Sequence, residues 1–203
     1  KPGDIVSSIG PIGQGYRPSD RRRRTLLIGG GVGIPPMVFL AEHLRHDSDD
    51  WQPLAIMGSE IPFPFELATS SIETPWLSSD IVSTMPLLEV LGVPARLASL
   101  SDFDGTFRGY VTDLAREWFG SLSADELAEV EIFSCGPTPM LRAVAALARE
   151  FAVPCQVSLE EFMACAVGGC AGCTVLVHTE SGPAMKRVCV DGPVFDSAAV
   201  FPE

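Results

Sequence analysis

Thr25-Leu26-Leu27-Ile28-Gly29-Gly30-Gly31-Val32-Gly33-Ile34-Pro35-Pro36-Met37 decides the fold. Its apolar start reads as a buried strand, the glycines end that strand in a turn, and two prolines open a helix where a missing N–H costs little. Met37, Leu40, Ala41 and Leu44 then recur at helical spacing and give the helix one apolar face.

The same alternation continues downstream. Leu54 to Met57 and Ala95 to Leu100 read as strands, and Tyr110 to Phe119 as a helix with Val111, Leu114 and Trp118 on one side. Glu131-Ile132-Phe133-Ser134 is a further strand, running into Cys135-Gly136-Pro137. A helix from Thr138 to Phe151 follows, with Leu141, Val144, Leu147 and Phe151 in register. Strands alternating with helices of this length predict an α/β fold with a parallel sheet. Prolines at 62, 64, 75, 86 and 94 break the stretch from Ile61 to Pro94, so only short helical pieces are expected there. Upstream, Ile5 to Ile9 is a short apolar run ending in the glycine-rich turn Gly10-Pro11-Ile12-Gly13-Gln14-Gly15. The basic run Arg21 to Arg24 reads as a solvated connection, with a phosphate or partner contact as its second reading.

Nearly half of the 203 residues are apolar, enough for a real core, and the net charge is −12. With one short basic run, neither nucleic acid nor an anionic membrane is expected as a partner. No apolar run approaches the ~20 residues of a spanning helix. Four of the six cysteines crowd toward one end, which points to a metal site in a reducing, cytoplasmic compartment rather than a disulfide scaffold. Lys1-Pro2-Gly3-Asp4 reads like the middle of a longer protein.

After Pro154 the helical pattern gives way to glycines and cysteines, which places a domain boundary near Ser158. Cys165-x4-Cys170-x2-Cys173, followed by Cys189, is the plant-type spacing of a [2Fe-2S] cluster. Two irons need four soft thiolates and a loop wrapped closely enough for backbone N–H groups to reach the sulfurs. Gly168, Gly169 and Gly172 permit that approach and the positive φ it needs. Thr174 to Val177 and Arg187 to Val190 look like paired strands, with the fourth ligand on the second. Zinc is the competing reading, but zinc sites pair two short Cys-x2–4-Cys knuckles, whereas three cysteines here form one knot. Cys155 reads as a buried small hydrophobe, and Cys135, at a strand end, reads equally as packing or as a ligand position.

Gly29-Gly30-Gly31-Val32-Gly33, between strand and helix, directs backbone N–H groups and a helix dipole at a phosphate. Tight helix–sheet packing would leave a similar pattern, and Pro36 stands where the dinucleotide fingerprint has its last glycine. Cys135-Gly136-Pro137, with Met140 in the helix behind it, repeats the arrangement, and two such turns can line one nucleotide crevice. Glu60, past the second strand, can bond the ribose hydroxyls of NAD and repel a 2′-phosphate, or be a plain loop carboxylate. His43, His46 and His178 read as surface, and no residue is assigned a catalytic role.

With these motifs in view, the sequence resembles the electron-transfer subunits of the NAD-dependent heteromeric class of dihydroorotate dehydrogenase, in the ferredoxin-reductase superfamily. The resemblance rests on Gly10 to Tyr16, Gly29 to Pro36, Asp104 to Asp113 and Cys135 to Leu141. It is most specific in Ser158-Leu159-Glu160-Glu161-Phe162-Met163-Ala164-Cys165 and Arg187-Val188-Cys189-Val190-Asp191-Gly192-Pro193-Val194-Phe195. It implies that residues 1–15 are the end of a flavin domain, 16–157 an NAD-binding α/β domain and 158–203 a small [2Fe-2S] domain. Cofactors would be NAD(H), the cluster, and FAD, held largely by a domain outside these residues. In that scheme Gly29, Gly31 and Gly33 cradle the dinucleotide and Cys135 lies near the nicotinamide. Cys165, Cys170, Cys173 and Cys189 would ligate iron. The expected partner, in a hetero-oligomer, is a dihydroorotate dehydrogenase catalytic subunit or another redox subunit, and the expected role lies in pyrimidine biosynthesis.

The alternatives are an adaptor subunit of a cytoplasmic hydrogenase, sulfite reductase or ferredoxin:NADP oxidoreductase, and a non-enzymatic iron–sulfur redox module. The ferredoxin:NADP group carries an aspartate where this chain has Cys165, which favours the first reading.

Overall fold

The computed structural model describes residues 2–202, so Lys1, the first residue of the expected flavin-domain remnant, and Glu203, the last of the expected cluster domain, lie outside them. The opening motif forms β1 (Arg24–Gly30), a 3₁₀ turn (Gly31–Gly33) and α1 (Ile34–Asp47). There follow β2 (Gln52–Gly58), β3 (Ala68–Thr69), β4 (Ser83–Thr84), α2 (Pro86–Val90), β5 (Ala95–Ser99) and β6 (Phe107–Arg108). Then come α3 (Val111–Ser121), α4 (Ala124–Ala128), β7 (Val130–Cys135), α5 (Thr138–Glu150) and β8 (Cys155–Ser158). The chain ends in β9 (Thr174–Thr179), β10 (Gly182–Arg187), β11 (Val194–Asp196) and α6 (Ser197–Val200).

Seven strands form the main sheet in the order β11-β8-β7-β1-β2-β5-β6. All neighbours are parallel except the edge pair β11–β8, so the α/β expectation holds. β1 alternates its side chains between two cores, as a strand covered on both faces must. Leu26 and Ile28 pack with Leu114 and Trp118 of α3 and Leu141, Val144 and Leu147 of α5. Leu27 faces Met37, Leu40 and Leu44 of α1, with Leu88 of α2. The connection from β1 runs toward β2 and β5, whereas β7 and β8 build outward on its other side. The direction of winding therefore reverses between β1 and β7.

The stretch from 61 to 94 differs from the helical pieces expected. It holds the two-stranded ribbon β3–β4 and one helical turn, α2, because its prolines leave too few consecutive N–H groups for more. What orders it is the buried Arg96 on β5, whose guanidinium donates to the carbonyls of Ile81 (3.1 Å), Ala95 (2.7 Å) and Ile72 (2.7 Å). Arg96→Ala removes all three of these bonds and should lower stability by about 2 kcal/mol. A fall in the denaturant midpoint at unchanged slope would verify it.

The arginine run is structural rather than merely solvated. Arg22 donates to the carbonyls of Ala128 (2.7 Å) and Val130 (3.0 Å), Arg23 lies 4.3 Å from the Trp51 ring centre, and Arg24 pairs with Glu126 at 3.0 Å. His43, His46 and His178 are exposed, as read. No helix among the described residues is long and apolar enough to cross a membrane.

Candidate functional site

Cys173 immediately precedes β9, and β9 pairs antiparallel with β10 from Thr174↔Arg187 to Thr179↔Gly182. The second strand is thus Gly182–Arg187, not Arg187 to Val190. The Arg187 carbonyl accepts the N–H groups of Val190, Asp191 and Gly192, which turns the chain out of the ladder and puts Cys189 in the turn after β10. That turn lays Cys189 against Cys173: Val188 N–H donates to the Cys173 carbonyl at 2.9 Å, and Cys189 N–H points at the Cys173 sulfur from 3.5 Å. Both residues are buried.

Cys165 and Cys170 form a second pair on the outer loop. Cys170 N–H reaches the Cys165 sulfur at 3.4 Å, and Gly172 N–H reaches the Cys170 sulfur at 3.4 Å. Cys165 is half-buried and Cys170 exposed. Of the three glycines expected to supply positive φ, only Gly168 does (φ 82); the other left-handed residues here are Ala166 (φ 55) and Ala171 (φ 53). Each alanine follows a cysteine, and such backbone costs roughly 1–2 kcal/mol for a residue with a Cβ. Local strain of this kind concentrates at functional sites. Arg187 ties the loop down, donating from Nη1 to the Gly168 carbonyl (3.0 Å) and from Nε and its backbone N–H to Asp191 Oδ2 (3.1 and 2.8 Å).

These contacts set the thiols apart. Backbone N–H groups of Val167 and Cys170 hold the Cys165 thiol down to about 6, and the N–H of Cys189 lowers that of Cys173. Burial pushes the Cys189 thiol up. Among the described residues no three His, Cys, Asp or Glu side chains converge on the position of a single metal ion. Four thiols in two pairs, with N–H groups directed at the sulfurs, instead fit a two-iron centre, in which each iron takes two protein thiolates.

The second assembly sits at the carboxyl ends of β1 and β7, where open α/β sheets take ligands. There the turns Gly29–Gly33 and Cys135–Pro137 press together. A Cβ on Gly33 would overlap the Cys135 carbonyl, one on Gly30 would stand 2.5 Å from the Met140 sulfur, and one on Gly136 (φ 157) 3.0 Å from the Gly30 oxygen. Gly31 (φ 54) opens to free space, and Val32 is exposed. The helices starting here, α1 and α5, lack both a capping side chain and any acidic residue in the first turn. In contrast, α4 has a full capping box and α6 is capped by Asp196. Prolines 35, 36, 137 and 139 carry no N–H and the Ile34 N–H is bonded to the Gly31 carbonyl, so what the two helices offer an anion beside the switch point is chiefly their positive dipole ends.

Glu60 is exposed two residues beyond β2 on the same edge of the sheet, its carbonyl accepting from Ser101 Oγ at 3.3 Å. Cys135 is half-buried, and burial raises its thiol. Cys155 is buried, as read. Tyr16 was not singled out by the sequence, though it ends one of the quoted motifs. Its ring meets Phe133 edge-on at 5.5 Å and its hydroxyl donates to the Ser134 carbonyl at 2.7 Å, directly behind Cys135.

Residues 160–201 match the family described as the iron-sulfur cluster binding domain of dihydroorotate dehydrogenase B. The dihydroorotate dehydrogenase B (NAD(+)) electron transfer subunit of Caldanaerobacter subterraneus subsp. tengcongensis is 33% identical over 195 residues, 96% of this chain and 66% of its own length. That of Shouchella clausii is 33% identical over 199 residues, 95% of this chain and 64% of its own. The chain therefore spans just under two thirds of these relatives. Among solved structures, an NADH-dependent reduced ferredoxin-NADP oxidoreductase superposes with a TM-score of 0.67 at 26% identity, covering 97% of this chain and 60% of that one. Relatives aligned along nearly the whole chain, a matching cluster segment and a ferredoxin-reductase-like fold agree: the chain is similar throughout to dihydroorotate dehydrogenase B electron-transfer subunits.

Proposed function

We propose that this chain passes electrons between NAD(H) and a partner dehydrogenase through FAD and a [2Fe-2S] cluster, the partner being a dihydroorotate dehydrogenase catalytic subunit of pyrimidine biosynthesis. The observation that carries the reading is the pairing of the four thiols, Cys173 with Cys189 at the ends of the β9–β10 hairpin and Cys165 with Cys170 on the loop before it, in a segment that β11 joins to the sheet holding the nucleotide turns. The cofactors, when bound, supply the redox chemistry. The chain's own groups bind and orient. Cys165, Cys170, Cys173 and Cys189 hold the irons, and the positive N-terminal ends of α1 and α5 receive the dinucleotide phosphates over Gly29–Gly33 and Cys135-Gly136-Pro137. The Met140 side chain packs behind Gly30 and Gly136 and keeps the crevice floor in place. Glu60 faces the ribose and favours NAD over a 2′-phosphate. Residues 16–157 serve as the nucleotide domain and 158–203 as the cluster domain, with 1–15 as the end of the flavin domain.

On the outer loop, Phe162 and Val167 are exposed beside Cys165 and Cys170, leaving the outer thiol pair open to a redox partner. The test is anaerobic NADH titration of the full-length, FAD-loaded protein, followed by addition of the catalytic subunit. NADH should bleach the cluster's visible absorbance, and dihydroorotate should do so only with the catalytic subunit present. A cluster that dithionite reduces but NADH does not would mark a redox module. Reduction by NADH with transfer to ferredoxin alone would favour the ferredoxin-linked reading that the solved neighbour supports.

A further inference from the structure

The turn at Gly13-Gln14 takes no part in the nucleotide crevice, yet here the chain ahead of β1 meets the cluster segment. Gly13 is left-handed (φ 86), and a Cβ on it would overlap the Gly192 carbonyl oxygen, stand 2.9 Å from that of Cys189 and 3.1 Å from Pro193 Cδ. Gln14 N–H donates to the Gly192 carbonyl at 2.6 Å, and Val194 N–H returns a bond to the Gln14 carbonyl at 3.3 Å, making a parallel bridge between Gln14 and Pro193. Cys189 is thus packed between Cys173 behind and the Gly13 backbone in front.

The turn is itself anchored to the main sheet. Arg17 N–H donates to Gln156 Oε1 (3.0 Å), and Gln156 Nε2 donates to the Arg17 carbonyl (2.8 Å) and to Glu131 Oε1 (2.9 Å). Ser19 N–H closes the run on Glu131 Oε2 at 3.0 Å, and Glu131 is buried on β7. Bonds from the sheet therefore hold the chain at Arg17 and Ser19, Arg17 Nη2 donates to Gln14 Oε1, and the turn so held packs against the Cys189 carbonyl. The loop carrying the outer thiols, Cys165 and Cys170, is tied by Arg187 through the Gly168 carbonyl.

We propose that the Gly13-Gln14 turn is a positioning element for Cys189, fixing the buried thiol pair and through it the electronic character of the cluster. This rests on the iron–sulfur reading of the four cysteines. Backbone packed onto a ligand residue's carbonyl sets that ligand's orientation, and loss of such outer contacts costs metal sites roughly 10–100-fold in affinity. An added Cβ at Gly13 must push the turn at Cys189 away, since the atoms it meets first are backbone.

The experiment compares Gly13→Ala with Gly92→Ala in the full-length protein. Gly92 is also left-handed (φ 67), but a Cβ there meets nothing within 4 Å, so it reproduces the backbone strain without the contact. Gly13→Ala should alter the electron paramagnetic resonance g-values and midpoint potential of the reduced cluster and release iron to a chelator about tenfold faster. Its dinucleotide affinity should stay within about twofold, because the two sites share no partner. Gly92→Ala should leave the cluster signals as in the parent. Identical spectra and potential in Gly13→Ala and parent would overturn the proposal. Should Gly13→Ala fail to fold, Gln156→Ala, which cuts the anchor of the turn, must shift the same signals or the proposal falls. A parent protein that binds no iron would instead sink the cluster reading itself, before any variant is compared.

Discussion

Cys189→Ser should give a protein that keeps its sheet but holds almost no iron. Iron and sulfide should fall from about two each per chain to a small fraction of that. Serine matches the size of cysteine and offers a hard oxygen where the site has soft thiolates, so the substitution removes the donor chemistry with little change in volume. The effect should exceed that of Cys170→Ser, because Cys189 is buried against Cys173 whereas Cys170 is exposed on a loop that can adjust. Dinucleotide binding should survive both changes. The crevice is built by β1 and β7 at the centre of the sheet, and the hairpin carrying Cys173 and Cys189 lies outside that sheet. Iron and sulfide analysis with electron paramagnetic resonance of the dithionite-reduced protein decides the matter. A colourless parent carrying stoichiometric zinc would end the cluster assignment, and loss of NADH affinity in either variant would join the two sites.

Gly33→Ala should damage the nucleotide crevice about as severely. The added Cβ would fall on the Cys135 carbonyl, and that clash lies between two backbones at adjacent strand ends, where no side chain can swing away. Only separation of the two turns relieves it. Overpacking of this kind costs about 3 kcal/mol, near the upper end of the usual range. If the displaced turns lose a similar share of binding, dinucleotide affinity falls roughly 100-fold. Gly31→Ala separates the causes: its Cβ points into open space, so only the left-handed backbone (φ 54) opposes it, at roughly 1–2 kcal/mol. Chemical unfolding and calorimetric titration with NADH should show Gly33→Ala impaired in both, with Gly31→Ala milder in stability. Equal stability of Gly33→Ala and the parent would mean that the two turns are not in the contact described.

Much of the fold was readable because it is written in local patterns. The strand–turn–helix at Thr25 to Leu44 appeared where expected, as did α5 behind Cys135, since apolar periodicity and glycine or proline punctuation act over a few residues. The stretch from 61 to 94 resisted because its order comes from Arg96, a buried charge bonding three carbonyls drawn from β5 and the segment before it. The fourth cysteine was assigned to a strand because Arg187 to Val190 has strand-like composition. The Arg187 carbonyl, collecting three N–H groups, ends the ladder one residue into that run. Positive φ at Ala166 and Ala171 could not be read either, since nothing local favours it and only the wrapping of the loop enforces it.

The sequence by itself determined the donor chemistry and the sheet type: four thiolates at plant-type spacing, and glycine turns between strands and helices, both legible within short windows. Tertiary structure decided how those parts meet. It sorted the thiols into a buried pair and an open pair, set the two glycine turns against each other where the sheet reverses its winding, and brought Gly13 onto the carbonyl of Cys189. These are contacts between residues far apart in the chain, made by core packing on both faces of the sheet, and no local pattern encodes them.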